Sequence, residues 1–277
     1  MKPLTNSFKR SYWFKPLAIF LMCLLLLLFR SCQKEDLSTP ALKVDTSSNV
    51  STPLATTATY YYDIDGNRYT SVKIGSFLNK QEWMVENLRV THFNDGTSIT
   101  CVNLNTAASI SSWATRTTPA YCYYGYLDAN RVTYGALYNG YVVRSTKNVC
   151  PTGWRVPTFN DWTKLITYLG GNWPAGGKLK EKGYTHWIAP GSWKDSFGPA
   201  TDAYGFKALP GSYRLATGLW PTSPNNLRYV GDWWADSKSS SYTAELVSMT
   251  YNTATMYTYR SNYISELRSG YSIRCVR

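Results

Sequence analysis

Apolar residues follow two regimes along this chain, with a stretch between them that carries no aromatic residue. The first regime is a single unbroken run of thirteen apolar residues, Leu17 to Phe29. The second starts at Tyr60, where short apolar and aromatic segments begin to alternate with turn residues and continue to Arg277. Strand patterns dominate there. Residues 60–64 and 68–74 flank Asp65-Gly66, a pair suited to the positive backbone angles of a tight hairpin. Further strands are expected at 82–85, 244–251, 253–259 and 271–276, with a turn around 251–253 joining two of them.

One helix stands out. Thr158 and Asp161 have N-cap and N3 spacing behind Pro157, and Trp162, Leu165, Ile166 and Leu169 follow at i, i+3, i+4 and i+7 before Gly170-Gly171. Four apolar side chains on one stripe predict a helix packed against a sheet. Residues 33–58, rich in Ser, Thr and Pro, lack the apolar surface that offsets the entropy of folding and are expected to be a flexible tether.

Charge divides the chain in the same place. Residues 1–31 carry five basic residues and no acidic one, a secretory pattern in which the apolar run is the h-region. At about 1.5 Å per residue that run is too short for a bilayer core of about 30 Å. Ser31 immediately before Cys32 resembles a bacterial lipobox, so residues 1–31 are expected to be a signal peptide and Cys32 the lipidated first residue of the mature chain. Gln33-Lys34-Glu35-Asp36 resembles the acidic export signal of Bacteroidota surface lipoproteins. The resemblance implies a lipid-anchored protein of the outer membrane, facing the exterior. Loss of the leader takes the formal charge from +12 to +7, and no basic run remains, which argues against a nucleic-acid partner. The expected organisation is signal peptide 1–31, lipidated cysteine and tether 32–58, and one domain 59–277.

Four cysteines remain in that domain, Cys101, Cys122, Cys150 and Cys275, and their spacing permits three pairings. The segments Asp63-Ile64-Asp65-Gly66-Asn67, Glu82-Trp83-Met84-Val85-Glu86-Asn87-Leu88-Arg89, Tyr134-Gly135-Ala136-Leu137-Tyr138-Asn139, Cys150-Pro151-Thr152-Gly153-Trp154-Arg155-Val156-Pro157-Thr158, Gly176-Gly177-Lys178-Leu179-Lys180, Leu209-Pro210-Gly211 and Ser272-Ile273-Arg274-Cys275-Val276-Arg277 occur in an order that resembles the Fibrobacter succinogenes major paralogous domain. The resemblance implies an α+β domain related to the C-type lectin and formylglycine-generating-enzyme superfold, with a small twisted antiparallel sheet, one or two helices and long loops. It also implies bridges Cys150–Cys275 and Cys101–Cys122.

Fold kinship does not transfer an activity, because function resides in the site. The domain holds only His92 and His186, not at helical ligand spacing, and both are read as structural or surface residues. Asp63, Asp65 and Asn67 have the alternating oxygens that open a calcium loop, but the terminal glutamate is missing and a hairpin turn explains them. No metal, cofactor or enzymatic activity is therefore expected. Aromatic residues in Gly-, Pro- and Ser-rich loops are the candidate ligand contacts: Trp187, Trp193, Trp220, Tyr229, Trp233 and Trp234. The expected function is a surface-exposed binding or adhesion module for glycans or partner proteins, with a subunit of a surface fibre or glycan-uptake assembly as the alternative.

Overall fold

A computed structural model describes residues 59–189, 200–222 and 226–277. Cys32, Trp193 and the proposed leader and tether lie outside the described residues. What is described is an α+β domain of short strands in small, mostly antiparallel sheets. Strands β1 (Tyr61–Tyr62) and β2 (Arg68–Tyr69) form the expected hairpin with Gly66 at φ 75°. The turn is held by Asp63, whose carboxylate accepts from the backbone N–H of Asp65 and Asn67 and from the Tyr69 hydroxyl at 2.7 Å. Those oxygens serve a turn. Strands β3 (Ser71–Ile74) and β4 (Gln81–Met84) pair next.

After β5 (Thr100–Cys101) come helix α1 (Ala107–Ala114), β6 (Ala120–Cys122), helix α2 (Asp128–Tyr134), β7 (Leu137–Asn139) and helix α3 (Gly140–Val143). Helix α4 (Phe159–Tyr168) is the helix expected from the sequence. Thr158 and Asp161 form a reciprocal capping box, and Trp162, Leu165, Ile166 and Leu169 are buried. Helix α5 (Asn172–Leu179) begins directly after the Gly170-Gly171 stop. Its Gly176 touches the next hairpin so closely that a Cβ would lie 2.7 Å from the carbonyl oxygens of Ala254 and Thr255.

Strands β8 (Val230–Ala235), β9 (Ala244–Thr250) and β10 (Met256–Ser261) form an antiparallel sheet in the order β10-β9-β8. The β9–β10 turn spans 251–255, wider than the sequence suggested. Strand β11 (Gly270–Tyr271) pairs with β7, and the expected strand at 271–276 otherwise runs on as single bridges, Trp233↔Ser272, Trp83↔Val276 and Arg155↔Val276.

Strict alternation divides the β8–β10 sheet. Trp233, Ala235, Val247, Met249 and Met256 face the core beneath α4. Asp232 lies on the other face, in register with Ser248, which is in register with Tyr257; Trp234, Leu246 and Tyr259 form the next row.

The Cys150–Cys275 disulfide is present and ties the segment before α4 to the last residues of the chain. The Cys101–Cys122 bridge is not formed: Cys122 is a free, buried thiol. Register explains the correction. Cys101 lies opposite Tyr121 in the parallel β5–β6 pair, so Cys122 points to the other face of the sheet, into a cluster with Val102, Trp113 and Leu137.

Signature segments of the sequence converge on a buried polar hub. Asn87 Oδ1 accepts from Trp233 Nε1 at 2.8 Å and from Arg274 Nε and Nη2 at 3.2 and 3.0 Å, while Asn87 Nδ2 donates to the Tyr134 carbonyl at 2.8 Å. Arg274 also donates to the Phe206 carbonyl, and its guanidinium lies 4.3 Å from the centre of the Phe206 ring. These contacts hold five distant parts of the chain in register, around residues 87, 134, 206, 233 and 274.

Candidate functional site

On the face of the β8–β10 sheet opposite α4, an open cleft of about 600 Å³ is lined by the 213–217 loop and by residues 266–271, two segments bridged to each other through Arg214 and Gly270. Asp232 and Ser248 contribute to it from adjacent strands, Tyr259 from β10, Tyr213 from the loop, and Glu266 and Tyr271 from the closing segment. Two rings of this set pack on each other, Tyr213 on Tyr271 at 5.8 Å between centres. Beneath them Trp234 meets Tyr271 edge-on at 4.7 Å. Tyr259 is half exposed and stacks along β10 on Tyr257.

Asp232 sets the electrostatics of the cleft. Its side chain is buried, and removal from water pushes the carboxyl up to about 7 against a single opposing hydrogen bond with Ser248. The phenols of Tyr213, Tyr259 and Tyr271 are all raised, first by burial and then by the negative charge of Asp232. Arg260 is the one cation among the described lining residues. Its guanidinium turns away, pairing with Glu245 at 3.1 Å and lying 3.8 Å from the Phe159 ring centre. Such a cleft can take polar hydroxyls or a cation at its floor and apolar faces along its walls.

The aromatic candidates named from sequence are not gathered at one surface, and three of them require correction. Trp187, Trp233 and Trp234 are core residues, each at most 2 % exposed. Their indole N–H groups are already used, donating to the Ala208 carbonyl, Asn87 Oδ1 and the Tyr138 carbonyl. A buried, hydrogen-bonded indole has no face to offer a ligand. Trp220 is half-buried in a separate box with Tyr124, Tyr126 and Arg214, and Tyr229 packs edge-on against Tyr251. Trp193 lies outside the described residues.

The sequence reading missed Tyr213, Ser248, Tyr259, Glu266 and Tyr271. Asp232 was not among the candidate contacts either. The available signal was the two-residue alternation of 244–251 and 253–259, which places Ser248 and Tyr259 on one face once Asp232 is assigned to a neighbouring strand.

Both histidines have carboxylate partners, His92 Nδ1 with Asp65 at 2.7 Å and His186 Nδ1 with Glu181 at 2.8 Å. Burial pushes the Cys122 thiol up to about 11, far from the thiolate form that reacts. Among the described residues no group of three or more His, Cys, Asp or Glu is placed to hold a metal ion.

Sheet, helix and closing segment together carry a family pattern. The Fibrobacter succinogenes major domain matches residues 72–277, and the chain belongs to that family. No curated protein and no solved structure matches the chain.

Proposed function

We propose that this protein is a non-catalytic binding or adhesion module that receives a glycan or a surface protein in the Asp232 cleft. In this reading Cys32 carries the lipid anchor, and the domain is displayed from the outer membrane toward the exterior. The single observation that carries it is the cleft itself: a buried carboxylate and a hydroxyl beside the accessible rings of Tyr213 and Tyr259, with the largely buried Tyr271 behind them, on a braced sheet. The C-type lectin-like architecture implied by the sequence resemblance fits the same role. Tyrosines suit such a surface, because a ring supplies a stacking face and a polar tip with little side-chain entropy to lose.

The full chain, screened against arrayed glycans and surface proteins, is expected to retain a ligand whose binding falls at least tenfold on Tyr213→Ala or Tyr259→Ala. A tenfold loss corresponds to about 1.4 kcal/mol, the scale of a lost aromatic contact. Trp187→Phe, in the core, is expected to leave that binding unchanged. Binding indifferent to both tyrosines contradicts the assignment of the site. The anchor is tested separately: Cys32→Ala is expected to move the protein out of the membrane fraction.

A second reading, an interaction subunit of a surface fibre or glycan-uptake assembly, draws on β10. This strand is last in its sheet and leads into exposed Tyr263 and Ile264, so it offers backbone groups and apolar side chains to a neighbour. Undiminished assembly with no ligand on any array favours it.

A further inference from the structure

The described domain buries five carboxylates, and four of them are matched by donors. Asp63 accepts from the backbone N–H of Asp65 and Asn67, from Asn67 Nδ2 and from Tyr69. Glu82 meets Arg277, Tyr61 and Ser71; Asp161 meets Arg155 and Thr158; Glu245 meets Arg260 and Ser240. Asp232 is the exception. Among the described residues no cation pairs with it and its side-chain partner is the Ser248 hydroxyl, yet it is 5 % exposed. The exception is also the buried carboxylate that lines the open cleft.

We propose that the cleft is a seat for a protonated primary amine, with the Asp232 carboxylate receiving the ammonium group and the Tyr213, Tyr259 and Tyr271 rings lining its approach. This rests on the cleft being the ligand site and names the chemistry the site selects. A buried carboxylate is stable when a charge partner completes it, and here the residue lines an open cleft. Glu266 adds a second carboxylate at the margin, while Arg260 faces Glu245, so the local field favours a cation even on a basic chain. Aromatic faces around a cation add the attraction of their ring quadrupoles.

The floor also distinguishes among cations. A divalent metal needs several oxygen ligands, and no group of three candidate ligands stands here among the described residues. A guanidinium is a flat fork that seeks both oxygens of a free carboxylate, whereas Ser248 already engages this one. An ammonium group has three rotatable donors, which suit a floor of one carboxylate beside the hydroxyls of Ser248 and Thr250.

Two sources of such an amine are an amino sugar and a lysyl side chain, and paired probes separate them. The full chain is titrated at pH 8 with glucosamine against N-acetylglucosamine, and with a lysine amide blocked at its α-amine against the same compound acetylated at Nε. The free amine of at least one pair is expected to bind at least tenfold more tightly than its acetylated form, and Asp232→Asn to abolish that preference. Glucosamine alone showing it identifies an amino sugar, and the lysine amide alone a lysyl group. For the lysine amide, affinity is expected to fall between pH 8 and pH 5.5 as Asp232 takes up a proton. The polar and titratable groups that line the cleft with that carboxyl include Ser248 from β9, Tyr259 and Arg260 from β10, Tyr213 from the loop, and Glu266 and Tyr271 from the closing segment. Equal binding of free and acetylated forms, no binding of either amine, or a preference that survives Asp232→Asn overturns the proposal. A neutral glycan whose binding needs Tyr259 but not Asp232 overturns it while leaving the binding module intact. Arrays and amines that all fail remove both.

Discussion

Replacing both partners of the Cys150–Cys275 disulfide, as Cys150→Ala with Cys275→Ala, is expected to destabilise the domain by about 5 kcal/mol. The magnitude follows from the sequence separation of 125 residues, since a crosslink that closes so long a loop removes much of the freedom of the unfolded chain. Both cysteines are buried in the larger core cluster, which also holds Trp154, Tyr138 and Ile273. The bond therefore joins the entry to α4 with the segment that carries Arg274 into the Asn87 hub. Against a usual domain stability of about 5–15 kcal/mol the loss is severe, and a fall in Tm of about 10–20 °C is expected for a domain of this size. Thermal unfolding of the double variant measures it. A change below about 1 kcal/mol contradicts a bracing role for this bond.

Asp232→Asn is expected to act in the opposite direction, and only over part of the pH range. An unfolded aspartate titrates near about 3.9, whereas the folded carboxyl titrates at about 7. Between those values the folded state holds a proton that the unfolded state has released, so this group withdraws stability as pH rises from about 4 to about 7. Above that range the loss is complete and amounts to about 4 kcal/mol. Asparagine keeps the shape and cannot ionise. The variant is therefore expected to match the parent near pH 4 and to be more stable at pH 8, by up to about 4 kcal/mol. Urea unfolding across that range checks the sign, and a difference independent of pH contradicts it. A residue that lowers stability while lining a cleft is what a binding site demands, because the ligand completes what the fold leaves open.

Local signals were legible in the sequence and long-range ones were not. Thr158, Asp161 and the Trp162–Leu169 stripe specify α4 through contacts within a few residues, and Asp65-Gly66 specifies the first hairpin in the same way. Strand β8 escaped because its six residues are buried on both faces and include Gly231 and Asp232, so it lacks polar alternation and has the composition of a loop. That error moved Trp233 and Trp234 from the core to the candidate surface. Helix α1 escaped for a related reason, since Trp113 is the one residue it buries. The Cys101–Cys122 pairing failed on register, which shifts a side chain to the opposite face with a single residue. The cleft was the least legible feature: Tyr213, Asp232, Ser248, Tyr259, Glu266 and Tyr271 come from five segments that meet only when the sheet and its closing loops are assembled.

Asp232 is a buried carboxylate that lines the cleft, and among the described residues no cation pairs with it. Carbon-13 detected titration of the Asp232 side chain, in the full chain without ligand and assigned by comparison with Asp232→Asn, tests it most directly. A midpoint near 7 is the predicted result. A midpoint near 4, the ordinary range for an exposed aspartate, contradicts burial of an unpaired carboxylate at this position.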